Sequence, residues 1–219
     1  MASSYPVNHE HDPRWTAVDE YANSHLLSPS RNPYHEALEY ARSNSQAKGL
    51  PDIAVFAAQG KFLSLQIQVT GAKNILEVGT LAVNPDTKAV AEENIAHAGL
   101  SERVTVLLGP GLEVLPRLVD EVRTGARPPF DFVFIDADKE NNLAYFEAAL
   151  QMVKPRTCIF VDNVVRRGQL ADPAARDDPR IAGTRRLIEA VGKDDRVDAV
   201  VLQTVAEKNY DGFMMALVK

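Results

Sequence analysis

A chain of 219 residues with 45% hydrophobic content is long enough to bury one substantial core without disulfide or metal staples. Its net charge of −6 works against a nucleic-acid groove, which needs clustered Lys and Arg to neutralise phosphates. A single cysteine, Cys158, rules out a disulfide within the chain, and no long apolar run or charged-then-apolar leader marks a membrane span or export signal, so the sequence reads as a soluble cytoplasmic protein.

Residues 1–13 are polar and without apolar period, the pattern of a disordered tail. From Arg14 to Leu27, Trp15, Val18, Ala22 and Leu26 recur at helical spacing. Asn32-Pro33 opens a second helix that stops before Gly49. Residues 56–69 suit a third, with Phe62, Leu65 and Val69 on one face. These N-terminal helices fill residues 14–70, and their apolar stripes suit packing on a sheet or on a second copy of the chain.

From residue 73 to 219 the pattern becomes alternating strands and helices, the signature of βαβ units around a parallel sheet. The first strand is Asn74 to Val78. Asn84-Pro85-Asp86 starts a helix that Gly99 stops, Val104 to Leu108 reads as the next strand, and Gly109-Pro110-Gly111 turns into a helix carrying Leu115 and Leu118. Phe132 to Ile135 is an apolar strand buried on both faces. A helix spans Asn141 to Val153, closed by Pro155, and Thr157 to Val161 is another apolar strand. An Arg- and Asp-rich loop from Val164 to Pro179 is a candidate lid. A helix from Ile181 to Val191 follows, and strands from Val197 to Leu202 and Gly212 to Val218 form an antiparallel pair that closes a single domain.

The chemistry gathers where two of these strands end. Phe132 to Ile135 runs into Asp136, Asp138 and Lys139, and Thr157 to Val161 runs into Asp162 and Asn163. Carboxyl ends of parallel strands are where open α/β sheets bind ligands. If the two strands are neighbours, three oxygen side chains converge on one rim, and hard oxygens without His or Cys suit Mg²⁺ or Ca²⁺ rather than zinc. Taken singly, Asp136 and Asn163 also read as helix caps; two such clusters ending successive strands favour the ion. Lys139 is a candidate base.

Four segments in this order, Ile75 to Thr80, Val104 to Pro110, Phe130 to Lys139 and Val161 to Val164, resemble the cation-dependent O-methyltransferases of the caffeoyl-CoA and catechol type over residues 14–219. The resemblance implies an α/β, Rossmann-like class I methyltransferase sheet with helices on both faces, S-adenosylmethionine as methyl donor, a small aromatic hydroxylated acceptor and a homodimer. It implies Asp136, Asp162 and Asn163 as metal ligands and Lys139, beside Asp136, as the catalytic base. Val55, Glu77, Gly79, Gly111 and Asp138 match cofactor-binding positions.

One departure stands out. After Glu77-Val-Gly-Thr80 the family continues through a turn, a helix and a second strand ending in a ribose-binding acid, whereas this chain passes from Leu81 to Ala82-Val-Asn-Pro85. A helix-plus-strand unit of about twenty residues is missing, so the sheet should be one strand short, with Ala82 where the acid belongs. Two functional readings follow: methyl transfer to a phenolic oxygen, or an inactive or interaction subunit that no longer holds cofactor. A nicotinamide oxidoreductase fits less well, because Gly79 is the only glycine of the first turn where Gly-x-Gly-x-x-Gly is required.

Overall fold

The computed structural model describes residues 12–79, 83–206 and 209–219. Helix α1 (Pro13–Leu26) starts under the side chain of Asp12, one residue inside the expected tail, and is followed by α2 (His35–Ala47) and α3 (Ala57–Thr70). Strand β1 (Ile75–Gly79) leads to α4 (Pro85–His97) and α5 (Gly111–Arg123). Then come β2 (Phe130–Asp136), a 3₁₀ turn (Lys139–Asn141), α6 (Asn142–Leu150), β3 (Val153–Asp162), α7 (Pro179–Val191), β4 (Val197–Val205) and β5 (Tyr210–Val218).

The five strands lie in the order β1-β2-β3-β5-β4. The pairs β1–β2 and β2–β3 are parallel, and β5 is antiparallel to both β3 and β4, as the alternation of the sequence predicts. Successive side chains of a strand point to opposite faces, and both faces here are covered. On one, Val133, Ile135, Ile159 and Val161 meet Leu115 and Leu118 of α5, Phe146 of α6 and Leu187 of α7. On the other, Phe132, Phe134, Phe160 and Phe213 meet Phe62, Leu63 and Ile67 of α3. The ring centres of Phe62 lie 5.8 Å from Phe160 and 5.3 Å from Phe213, within the range of favourable aromatic pairs.

Several expectations are corrected. Residues 104–108 form no strand, and Val104, Leu107 and Leu108 are exposed. The cause lies in the topology: among the described residues β1 is the edge of the sheet, no strand stands between it and residues 104–108, and the apolar segment joins no ladder. Helix α4 shows the same deficit. It buries only Val90 and packs on α2, through stacked rings of Tyr40 and His97 and an Asn44–Asn94 bond of 2.8 Å. The helix expected from Asn141 to Val153 ends at Leu150, and Pro155 lies inside β3. There the ladder shifts register between Phe130 and Phe132 and Arg156 takes a positive φ, a local irregularity in which a missing N–H is tolerated. On α3 the core face runs through Phe62, Leu63 and Ile67; Leu65 and Val69 are exposed. Ala82, the residue expected in place of the acid, lies outside the described residues.

Candidate active site

The ladder between β2 and β3 sets the site. Ile135 pairs with Val161, both fully buried, and each is followed directly by an aspartate, so Asp136 and Asp162 leave adjacent parallel strands at one level. Gly79, the last residue of β1, pairs with Asp136. Two of the three oxygen side chains expected at this rim, those of Asp136 and Asp162, therefore end neighbouring strands.

A buried carboxylate beside a half-buried one carries an electrostatic cost, and it shows at Asp162. Burial, then the charge of Asp136, pushes its carboxyl up from 3.8 to about 6, against opposing bonds from the Asn163 backbone and the Gln59 side chain and the charge of Lys139. Lys139 is itself buried, and its Nζ donates to Asp136 Oδ1 at 2.6 Å. The 3₁₀ turn that carries it is pressed by α7. A Cβ on Gly183 would collide with the Lys139 carbonyl oxygen and stand 2.6 Å from Glu140 Cα, so only glycine permits that approach. Glu77 sits near enough to Asp136 to feel its charge. Surrounding protein and that charge push its carboxyl up, although the residue as a whole stays exposed, which limits the desolvation share.

Asn163 adopts a positive φ of 55°, as do Arg166 and Arg167 at 54° and 56°, a region that asparagine enters more readily than most residues. Asp211 of β5 holds this loop: its Oδ1 accepts the N–H groups of Val165 at 3.2 Å, Arg166 at 2.8 Å and Gly212 at 3.0 Å. The following segment is tied to α7, because Arg185 donates to the carbonyls of Leu170 at 2.8 Å and Asp172 at 2.6 Å.

The remaining expected residues form a second group beside the rim. Asp138 is exposed, and its carboxylate accepts from Tyr145 Oη at 2.5 Å and from the Asn141 amide. Gly111 lies against the Tyr145 ring, where a Cβ would come within 2.8 Å. Val55 stands apart, packed on the aromatic cluster of the α3 face. Gln59, Tyr145, Gly183 and Asp211 were not evident from the sequence. Tyr145 stands seven residues after Asp138, a helical spacing that offered a signal; nothing local marks the other three.

Among the described residues no group of three His, Cys, Asp or Glu side chains is arranged to hold a metal. The set here is two carboxylates and an amide, with Lys139 on one carboxylate. Its donor chemistry suits a hard cation, whose charge would offset the burial and the neighbouring carboxylate that raise Asp162.

An open α/β sheet with its polar cluster at the strand ends defines a class of small-molecule enzymes, and comparison with known proteins narrows it. The O-methyltransferase family model matches residues 28–82 and 80–217, and the chain belongs to that family; by family it is an O-methyltransferase. It is 46% identical to O-methyltransferase imqG of Aspergillus flavus, over 97% of this chain and 94% of that one. It is 40% identical to a catechol O-methyltransferase of Niastella koreensis, over 93% and 97%. A crystal structure of an O-methyltransferase from Bacillus cereus in complex with SAH superposes with a TM-score of 0.86 at 41% identity, covering 94% of this chain and 99% of that one.

The alignment lengths also give the size of what is missing. That with the A. flavus protein is 233 positions long but takes in 97% of 219 residues, about 212, leaving about 21 positions without counterpart here. For the N. koreensis protein, 225 positions against 93%, about 204 residues, leave the same number. The two matched family segments meet at residues 80–82, where the sequence lacks its helix and strand.

Proposed function

We propose that this protein transfers the methyl group of S-adenosylmethionine to an oxygen of a small catechol-like molecule, with a divalent cation at the strand-end rim. The observation that carries this is the pair of aspartates ending adjacent, register-matched strands, with Lys139 bonded to one of them. The catechol O-methyltransferase relative and the SAH-bound neighbour support the acceptor class and the donor.

Asp136, Asp162 and Asn163 would hold the cation, which when bound supplies Lewis-acid stabilisation to a phenolate. The donor supplies an electrophilic methyl on a sulfonium. Glu77 and Gly79, at the end of β1 beside Asp136, fit its methionine part as a carboxylate for the amine and a close-approach backbone. Lys139 Nζ donates to Asp136 Oδ1 at 2.6 Å, which places its amine at the rim. Lys139, beside that rim, would serve as the base that takes the proton of the acceptor hydroxyl. In the balance of the reaction a sulfur–carbon bond breaks, an oxygen–carbon bond forms, and the hydroxyl proton leaves through Lys139 to solvent. Ile135, Val161 and Val164, all fully buried, form a dry floor beneath the polar groups, where charge interactions are stronger than in water.

The test is methyl transfer to catechol and to phenol at millimolar donor, with Mg²⁺ or with chelator. Transfer to catechol that needs Mg²⁺, with phenol at least tenfold poorer, is expected. Equal use of both acceptors, or transfer indifferent to chelator, overturns the proposal.

A further inference from the structure

The crevice at the end of β1 has one wall. In doubly wound sheets a nucleotide lies where strand order reverses, with strands on both flanks of the first strand supplying contacts and an acid from the next strand binding the ribose hydroxyls. Among the described residues the order is β1-β2-β3-β5-β4, so each of the other four strands lies on one side of β1 and the order does not reverse around it. The strandless residues 104–108, the poorly buried α4 and the break between the two family-matched segments at residues 80–82 point to the same missing wall. On the wall that remains, the acid just beyond β2 is already engaged, since Tyr145 and Asn141 both donate to Asp138. Burial and that bond push the Tyr145 phenol up, which keeps it protonated as a donor.

We infer that this chain grips its methyl donor from the methionine end alone and leaves the ribose hydroxyls unread. This rests on the donor named above. Each hydrogen bond to a charged acceptor that goes unmade weakens binding by roughly tenfold, so two ribose contacts amount to about a hundredfold. The donor site therefore tolerates changes at the ribose that a two-walled site rejects.

The test uses S-adenosylhomocysteine and its 2′-deoxyribose analogue. Both are titrated into the full chain by ligand-detected NMR up to millimolar concentration. They are also titrated into a chain carrying, between Leu81 and Ala82, the residues that the N. koreensis relative has there. The chain as it stands should bind the two ligands within threefold of each other. The extended chain should bind S-adenosylhomocysteine about a hundredfold more tightly and prefer it at least tenfold over the analogue. Tenfold preference for the ribose ligand in the unextended chain overturns the inference whether or not the extended chain folds, as does equal affinity of the two chains. If neither ligand binds the unextended chain at millimolar concentration while the extended chain binds, the methionine-end contacts do not hold the donor by themselves and the inference is overturned. If neither chain binds either ligand, the donor assignment fails and the inference with it.

Discussion

Replacing Asp162 with asparagine should stabilise the metal-free protein while removing its response to metal. Asp162 is buried, and its carboxyl is raised from 3.8 to about 6 first by that burial and then by Asp136. A raised carboxyl means that the folded protein binds the proton more tightly than the unfolded chain. Its contribution to stability is thus fullest below the unfolded value near 4 and is lost as pH rises through 6. About two units correspond to at most about 3 kcal/mol; with the charge shared between two neighbouring carboxylates, roughly 1–2 kcal/mol is a fair expectation. Asparagine keeps an acceptor for the Asn163 N–H and Gln59 but carries no charge. At pH 8 in chelator the Asp162→Asn protein should melt roughly 2–8 °C above the parent, by the scaling for domains of this size. That gap should close as pH falls toward 4.5. Mg²⁺ at a hundredfold excess over its dissociation constant should raise the parent by about 2.7 kcal/mol and leave the variant unmoved. A variant that melts below the parent at pH 8 would show Asp162 to be a satisfied structural acceptor and refute the reasoning.

Gly183→Ala forces α7 away from the turn bearing Lys139, because the new Cβ meets backbone rather than a movable side chain. A loss of roughly 1–3 kcal/mol is expected in denaturant melts, with turnover reduced more than acceptor KM. Asp211→Ala leaves the N–H groups of Val165, Arg166 and Gly212 without their acceptor. Calorimetry should show weaker Mg²⁺ binding with Asp136 and Asp162 intact, and unchanged affinity would free Asp211 of any role in placing Asn163. Helices α1 and α2 bury no residue and expose Val18, Tyr21, Leu26 and Leu38. Sedimentation velocity should find a dimer that Val18→Glu with Tyr21→Glu dissociates; a monomeric parent would rule that out.

The rim was legible because its signal is strong and local. Apolar runs such as Phe132 to Ile135 need burial on both faces, and an aspartate directly after each marks where the strand leaves the core. Helix α4 was equally clear, since Asn84 caps it through the Asp86 N–H at 2.8 Å and Gly99 ends it at a positive φ. Val104 to Leu108 misled because β propensity describes a residue's fitness for a ladder, not the existence of a neighbour to pair with. The absent neighbour was itself readable as a jump in the motif after Thr80, yet its effect on a segment more than twenty residues later is a property of the sheet. On α3 the apolar residues leave no clear polar side, so periodicity alone chose Leu65 and Val69 where packing chose Leu63 and Ile67. Gln59, Gly183 and Asp211 come to the site from distant parts of the chain, and no local pattern encodes a contact made only by tertiary packing.

The central claim is that Asp136, Asp162 and Asn163 hold one divalent cation. Titration of Mn²⁺ into the full chain, read by the electron paramagnetic resonance of the free ion, tests it most directly. One ion bound per chain, lost in Asp162→Ala and displaced by Mg²⁺, is the predicted result. No binding up to millimolar Mn²⁺, or a site that Asp162→Ala leaves unchanged, would contradict it.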